Sequence, residues 1–317
     1  MKAAVVHSAG QLPVYDDFES PKAMTGQQLI RVSAAALTHL TRARASGRHY
    51  SAGGTYPFVA GVDGVGVLED GQRVYFANPR QPYGAMAEQV ALAPGQYVPL
   101  PDDLDDVTAA ALANPGMSGW MALRERAGFQ PGETVLINGA TGSSGTLAVQ
   151  IARHFGADRI VATGRNPQVL QELRELGADQ VISLRAEEDE QRAAFEAAFA
   201  NGVDVVLDYL WGPSARMILA ASARITDPAR TLRFVQIGSM AGEEIALPAA
   251  ILRSRANVLM GSGLGSVAPD KMVASVRDLL ASAGKAGFRI ETETAPLSDV
   301  SSAWLRDTGN RRLVFCL

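Results

Sequence analysis

The chain of 317 residues carries a single cysteine, Cys316, and four histidines, at positions 7, 39, 49 and 154. One thiol cannot close an internal disulfide, nor furnish the several thiolates of a structural zinc lobe. No two histidines stand i, i+4 and no His-Glu-x-x-His pattern occurs, so no metal site is expected. Charge of one sign is scarce too: 29 basic against 33 acidic side chains leave a net −4, which points to neither nucleic acid nor an anionic membrane as partner. No apolar run approaches the ~18 residues that span a bilayer. The start, Met1 to His7, has one basic residue and a very short apolar stretch, unlike a signal peptide. A Gly-x-Ser-x-Gly elbow is missing, because Gly142-Ser143-Ser144-Gly145 has the wrong spacing, and this disfavours a serine hydrolase. Cys316, within "RLVFCL", reads as a packed strand residue rather than a nucleophile. These absences leave a soluble, cytoplasmic protein as the expectation.

What is present is ordinary globular material, 47% hydrophobic and 20% charged, and long enough for two domains. Residues 1–100 read as β-rich, with short apolar runs broken by Gly, Pro and Asp-Gly signals. Asp70-Gly71, between "GVGVLE" and "QRVYF", predicts a hairpin turn. From about residue 107 helices appear, with an interruption expected at Asn114-Pro115-Gly116. Strands then alternate with helices: "TVLIN", helix 146–155, "RIVATG", helix 167–176, "QVISL", helix 187–200, "VDVVLDYL", helix 213–223 and "LRFVQIG". That rhythm predicts a parallel sheet covered on both faces. The last 55 residues hold "NVLMGSGLG", a helix around 270–282 and a terminal strand "RRLVFCL".

The stretch "VLINGATGSSGTLAVQIARHFGA" (135–157) is an apolar strand, seven small residues and an amphipathic helix. Bare backbone at a helix N-terminus presents unpaired N–H groups and part of a positive charge, which suits an anion. Ala140-x-Gly142-x-x-Gly145 is the dinucleotide fingerprint with Ala in place of the first Gly. No Lys-Ser/Thr follows Gly145, so it is not a P-loop. A carboxylate for the ribose hydroxyls is expected at the end of the second strand. That end reads Thr163-Gly164-Arg165-Asn166 instead, and a guanidinium suits a 2′-phosphate, which favours NADPH.

The stretches "FVAGVDGVGVLEDGQRVYF" (58–76), "YGAMAEQVALAP" (83–94), "ANPGMSGWMAL" (113–123), "LINGATGSSGTLAVQIAR" (136–153) and "DVVLDYLWG" (204–212) together resemble the zinc-free quinone oxidoreductase, zeta-crystallin-like branch of the medium-chain dehydrogenase/reductase superfamily. The resemblance implies an α/β fold: a Rossmann doubly wound parallel sheet inserted into a GroES-like β-rich catalytic domain, as a homodimer. The expected boundaries are 1–110 for the first part of the catalytic domain, 111–256 for the NADPH-binding domain, and 257–317 for the return, with a dimer-interface strand. The zinc branch would carry Cys near residue 38 and Gly-His-Glu after residue 60; the chain has Ala36-Leu37-Thr38-His39 and Gly61-Val62-Asp63-Gly64. Without a metal to polarise a carbonyl, the implied reaction is NADPH-dependent hydride transfer to a quinone or an α,β-unsaturated carbonyl. An enoyl-thioester reductase and a non-catalytic NADPH-binding redox sensor or partner protein stand as alternatives.

By resemblance, Tyr50 lines the cleft as a proton or hydrogen-bond donor, with Tyr56 a second choice; His39 reads either as a proton relay or as a hydrogen-bonded structural histidine. Many relatives have Asn-Pro-x-Asp where Thr38-His39-Leu40-Thr41 stands, so Thr38 offers a hydroxyl in place of an Asn near the nicotinamide. The cofactor set comprises Ala140, Thr141, Gly142, Ser143, Ser144, Gly145, Thr163, Gly164, Arg165 and Asn166, with Ser118, Leu210, Trp211, Gly238, Ser239, Met240, Ser262 and Gly263 towards the nicotinamide. The substrate itself is not named by the sequence.

Overall fold

The computed structural model describes residues 1–47, 55–224 and 230–317. The chain forms two compact units, one from Met1–Asn114 with Val273–Leu317, the other from Pro115–Met272.

The first unit opens with β1 (Lys2–Val6), β2 (Val14–Asp17), β3 (Gln28–Ala36), helix α1 (His39–Ala45) and β4 (Phe58–Val59). It continues through β5 (Asp63–Leu68), β6 (Arg73–Ala77), β7 (Gln89–Leu92) and β8 (Tyr97–Pro99). Asp70-Gly71 makes the expected β5–β6 turn: Gly71 has φ +90° and its N–H bonds to the Leu68 carbonyl.

Helix α2 (Asp106–Met121) carries the chain across the unit boundary and continues into a π-helical turn, Ala122–Arg126. The interruption expected at 114–116 does not occur. An interior proline removes one helical hydrogen bond and costs roughly 3 kcal/mol. Burial compensates locally, since Ala109 to Ala113 are all fully buried.

The second unit then alternates β9 (Thr134–Asn138), α3 (Ser143–His154), β10 (Arg159–Gly164), α4 (Pro167–Glu175), β11 (Gln180–Ser183), α5 (Glu188–Ala200), β12 (Val205–Asp208), α6 (Gly212–Ser222), β13 (Leu232–Gln236), α7 (Ala249–Ser254) and β14 (Asn257–Gly261). Helix α8 (Pro269–Ala286) leads back to the first unit, which ends with β15 (Thr292–Pro296) and β16 (Arg312–Cys316).

Among the described residues, the second unit holds one parallel sheet in the order β11-β10-β9-β12-β13-β14. The strand order reverses direction between β9 and β12, where open α/β sheets bind ligands at their carboxyl ends. Every residue of β9 and β12 is buried, as strands covered on both faces require. β14 pairs with β13, so the return to the first unit comes after Met272 and not at residue 257; the first boundary falls after Asn114 and not after 110. Apolar runs alone do not say which sheet an added strand will join.

In the first unit, β15-β16-β3-β5-β6-β8 form a sheet to which β7 pairs along β3, and β2-β1-β4 form a smaller one. Its core gathers Ile30, Phe76, Met86, Leu92, Trp304 and Phe315. The core of the second unit gathers Leu136, Val161, Phe195, Phe199, Ile218 and Phe234. The acidic helix α5 buries Phe195, Ala198 and Phe199 and turns Glu188 to Glu190 outward. Among the described residues no helix is long and apolar enough to cross a membrane.

Candidate functional site

The turn after β9 is built to leave space. Gly139 has φ +87°, and a Cβ there would meet the Leu210 side chain at 2.8 Å. Ala140 stays outside the left-handed region; its N–H donates to the Thr163 carbonyl at 2.7 Å. Its carbonyl accepts from Thr146 Oγ1 at 3.0 Å. Replacing the first fingerprint glycine by alanine therefore strains nothing. Gly145 is held at close quarters: an added Cβ would lie 2.5 Å from both Ala140 Cα and the Gly139 carbonyl oxygen. Gly142 is the opposite case. It caps α3 in an extended conformation, and a Cβ on it would meet nothing nearer than 4.0 Å. The space beside Gly142 lies at the positive end of α3, where the N–H groups of Ser143, Ser144 and Gly145 have no intrahelical partners. A pyrophosphate fits that cradle; a side chain at Gly142 would fill it.

Behind the turn a hydrogen-bond chain ties three strand ends together. Thr163 Oγ1 donates to Asn138 Oδ1 at 2.7 Å and accepts from the Gly139 N–H at 3.1 Å. Asn138 Nδ2 donates to Asp208 Oδ1 at 2.8 Å and to Ser214 Oγ at 2.9 Å. Asp208 also accepts from the backbone N–H groups of Leu210 and Trp211, which fixes a turn where Trp211 has φ +58°. Burial pushes the Asp208 carboxyl up, against these three donors. Thr163 is fully buried, so it positions the turn rather than touching a ligand.

Arg165 stands exposed at the end of β10, and its guanidinium makes no hydrogen bond or ion pair among the described residues. The capping of α4 falls to Asn166, whose Oδ1 accepts from the Gln168 and Val169 N–H groups. Asn166 is thus occupied by the helix, and Arg165 is left available for an anion. Gly164 lies beneath the Thr141 side chain.

Further along the carboxyl edge, Ser118 Oγ donates to the Pro115 carbonyl at 2.7 Å and meets the Tyr209 hydroxyl at 3.4 Å. Burial pushes the Tyr209 phenol well up. Gly238 backs onto the Tyr209 carbonyl, and Ser262 N–H bonds to the Gln236 carbonyl at 2.8 Å. Gly263 is exposed, its N–H held by Ser266 Oγ. Met240 is 70% exposed and packs against little. An open cavity of about 460 Å³ adjoins this edge, lined by Trp211, Phe234, Gln236, Ser239, Glu243 and Leu259 among others. Of these, only Trp211 and Ser239 were expected; the rest carry no motif.

In the first unit, Thr38 Oγ1 accepts from the Thr41 N–H at 2.9 Å and pairs with Thr41 Oγ1 at 2.9 Å. Its hydroxyl closes the first turn of α1. His39 opens that helix; desolvation lowers its pKa, and Arg312 and Arg42 lower it further. Asp63 is 2% exposed, and Tyr75 Oη donates to its Oδ2 at 2.9 Å. Burial raises the Asp63 carboxyl to about 6. Tyr56 is half-buried and packs against the core, its ring tilted at 49° to that of Phe58 with centroids 5.3 Å apart. Tyr50 and His49 lie outside the described residues. Among the described residues, no three His, Cys, Asp or Glu side chains gather where they would hold a metal ion.

Over 99% of its length the chain is 30% identical to the probable NADPH-dependent quinone reductase tdiC of Emericella nidulans, and the match spans 99% of that protein. The chain belongs to the quinone oxidoreductase branch of the medium-chain dehydrogenase/reductase superfamily. The crystal structure of a quinone oxidoreductase from Thermus thermophilus, solved also with NADPH, covers 100% of both chains at 28% identity and a TM-score of 0.83. A 2-methylene-furan-3-one reductase from Solanum lycopersicum is 32% identical over 53% of this chain and 47% of its own. Residues 145–282 match the family model described as zinc-binding dehydrogenase.

As a member of the quinone oxidoreductase branch, the chain places its fingerprint where a Rossmann sheet reverses strand order. The structure brings Ala140 to Gly145, Arg165, Leu210 and Trp211 to the carboxyl edge of one sheet. Sequence reasoning placed Asp208 at the carboxyl edge without a role and missed Asn138; together they organise that edge. The signal available was polar residues ending two otherwise apolar strands, "TVLIN" and "VVLD".

Proposed function

We propose that the protein is an NADPH-dependent reductase of quinones and α,β-unsaturated carbonyls that needs no metal and works as a cytoplasmic homodimer. The observation that carries this is the open cradle at Gly142, followed one strand later by an exposed guanidinium, unpaired among the described residues, where an NAD site would present a carboxylate. In this reading the Ser143, Ser144 and Gly145 N–H groups hold the pyrophosphate, and Arg165 pairs with the 2′-phosphate. The Leu210-Trp211 turn, held by Asp208, walls the nicotinamide half, together with Ser118, Gly238, Ser239, Ser262 and Gly263.

When bound, NADPH supplies a hydride. The protein's own task is to orient the acceptor and deliver a proton. His39, whose pKa is lowered, is neutral at pH 7 and can relay one, and Tyr50 carries a phenol that can donate. Thr38 supports this group by fixing the start of α1 rather than by polarising the substrate. The Cys and Gly-His-Glu of the zinc branch are replaced by Thr38 and Gly61-Val62-Asp63, so the donor set does not suit zinc. The relatives named for quinone and furanone reduction support acceptors with a conjugated carbonyl. The test is steady oxidation of NADPH with a panel of quinones and enones, and turnover with NADPH well above NADH is expected. NADPH binding without turnover on any acceptor would instead favour a sensor.

A further inference from the structure

The π-helical turn that ends α2 holds a loop that the hydride-transfer reading uses but does not explain. Segment 261–266 runs Gly-Ser-Gly-Leu-Gly-Ser from the last residue of β14 towards α8. Three of its six residues are glycines with open space around them: a Cβ added at Gly261, Gly263 or Gly265 would meet nothing within 4 Å. Such a stretch needs to be held from outside, because glycine backbone is the freest of all. Its internal hydrogen bonds close a turn, with Ser266 Oγ accepting from the Gly263 N–H at 2.7 Å and donating to the Gly263 carbonyl at 2.8 Å. They fix the shape of the turn and not its place. The sheet anchors the near end, where the Ser262 N–H bonds to the Gln236 carbonyl at 2.8 Å.

Arg126 holds the far end. Its Nε donates to the Gly261 carbonyl at 2.8 Å and its Nη1 to the Ser266 carbonyl at 3.3 Å. One planar guanidinium therefore ties the first residue of the loop to the last, and both to the turn Ala122–Arg126. Donors on a cation bond a carbonyl more strongly than neutral donors do. The helix is widened at this point: the Ala127 N–H reaches back five residues to the Ala122 carbonyl at 2.8 Å, a geometry that is rare in helices and concentrates at functional sites. Glu125, next in chain, pairs with Lys271 at the start of α8 at 2.8 Å, but Lys271 is exposed and a solvent-screened pair contributes little. All of these residues belong to the second unit.

We propose that Arg126 is a positioning residue for hydride transfer, which braces segment 261–266 so that Ser262 and Gly263 stand in one place against the nicotinamide. The inference rests on the proposed function, which assigns those two residues to the nicotinamide half. Arg126 itself acts through the loop and touches neither cofactor nor acceptor. Loss of the brace leaves the adenine half of the cofactor to the cradle at Gly142 and to Arg165, both of which are built from other elements. The nicotinamide half then loses a fixed wall, and small displacements of a reacting group cost rate steeply.

The experiment sets NADPH against adenosine 2′,5′-bisphosphate, which carries the 2′-phosphate and no nicotinamide, in the unaltered protein and in Arg126→Ala. Calorimetric titration reads both affinities, and kcat/KM is read with one neutral quinone. Arg126→Ala should lower kcat/KM by about tenfold to a hundredfold, with NADPH affinity falling and bisphosphate affinity unchanged. A merely structural role would lower both affinities together. Guanidinium chloride below denaturing concentrations should restore part of the loss, and sodium chloride at the same ionic strength should not. Arg126→Lys keeps the charge but cannot span two carbonyls, so it should stay close to Arg126→Ala. Unchanged kcat/KM and NADPH affinity in Arg126→Ala, full activity in Arg126→Lys, or equal losses for NADPH and the bisphosphate would overturn the proposal. Should the unaltered protein bind NADPH and reduce no quinone, the reductase reading fails and the two affinities decide the brace by themselves. Selective loss for NADPH then upholds it, and equal loss overturns it.

Discussion

At the scale of single side chains, the proposed function assigns cofactor choice to Arg165, and Asp63 carries one feature of stability. Among the described residues Arg165 has no partner to give up, so Arg165→Asp should leave the fold intact and cost NADPH about 2–3 kcal/mol of binding relative to NADH. The ratio of kcat/KM for the two nucleotides measures this, and an unchanged ratio removes Arg165 from the account. Asp63 acts on stability in the opposite sense from most carboxylates. Its folded value near 6 lies above the ordinary carboxylate range, so the folded protein holds this proton more tightly than the unfolded chain. That contribution is fully present below about pH 4 and is lost as pH rises towards 6. Asp63→Asn keeps an acceptor for Tyr75 and should raise stability at neutral pH by roughly 2–3 kcal/mol, with little gain near pH 4. Urea unfolding at both pH values tests it. Arg165 was legible because it sits at a fixed offset from a motif. Asp63 was visible only as a departure from Gly-His-Glu, since its burial and its Tyr75 partner come from strands far apart in sequence.

The strand–turn–helix element separates two glycines that look alike in sequence. Gly145→Ala would drive a methyl to 2.5 Å from Ala140 Cα, and should destabilise the unit by a few kcal/mol, the range of overpacked sites. Gly142→Val meets nothing nearer than 4.0 Å to its Cβ, so thermal unfolding should change little while NADPH affinity falls at least about tenfold through the blocked cradle. Differential scanning calorimetry and a fluorescence titration of NADPH distinguish the two; loss of stability in both would mean the turn is only structural. At this scale the alternating strands and helices of the second unit were readable, because apolar runs of strand length and amphipathic helices differ in period. The continuity of α2 through Pro115 was not readable, because burial on all sides overrode a local breaker. Neither was the Thr163–Asn138–Asp208 chain, which depends on parallel register across three strands.

For the whole molecule, β14 closes the parallel sheet at an edge, and Val258 on it is 42% exposed. Among the described residues no strand pairs with its outer side, and such an edge invites a second copy. Val258→Lys should shift the protein from dimer to monomer in sedimentation velocity, while a monomeric unaltered protein would remove the dimer from the account. That β14 stays with the second unit could not be read from its composition, which suits either sheet. The two-unit organisation and the reductase reading both converge on the cradle beside Gly142 and the guanidinium of Arg165. The most direct test is the initial rate of reduced-nicotinamide loss with one neutral quinone, measured in parallel with NADPH and NADH. The account predicts sustained turnover with NADPH and a rate with NADH lower by about tenfold or more. Equal rates with the two nucleotides, or no turnover with either, would contradict it.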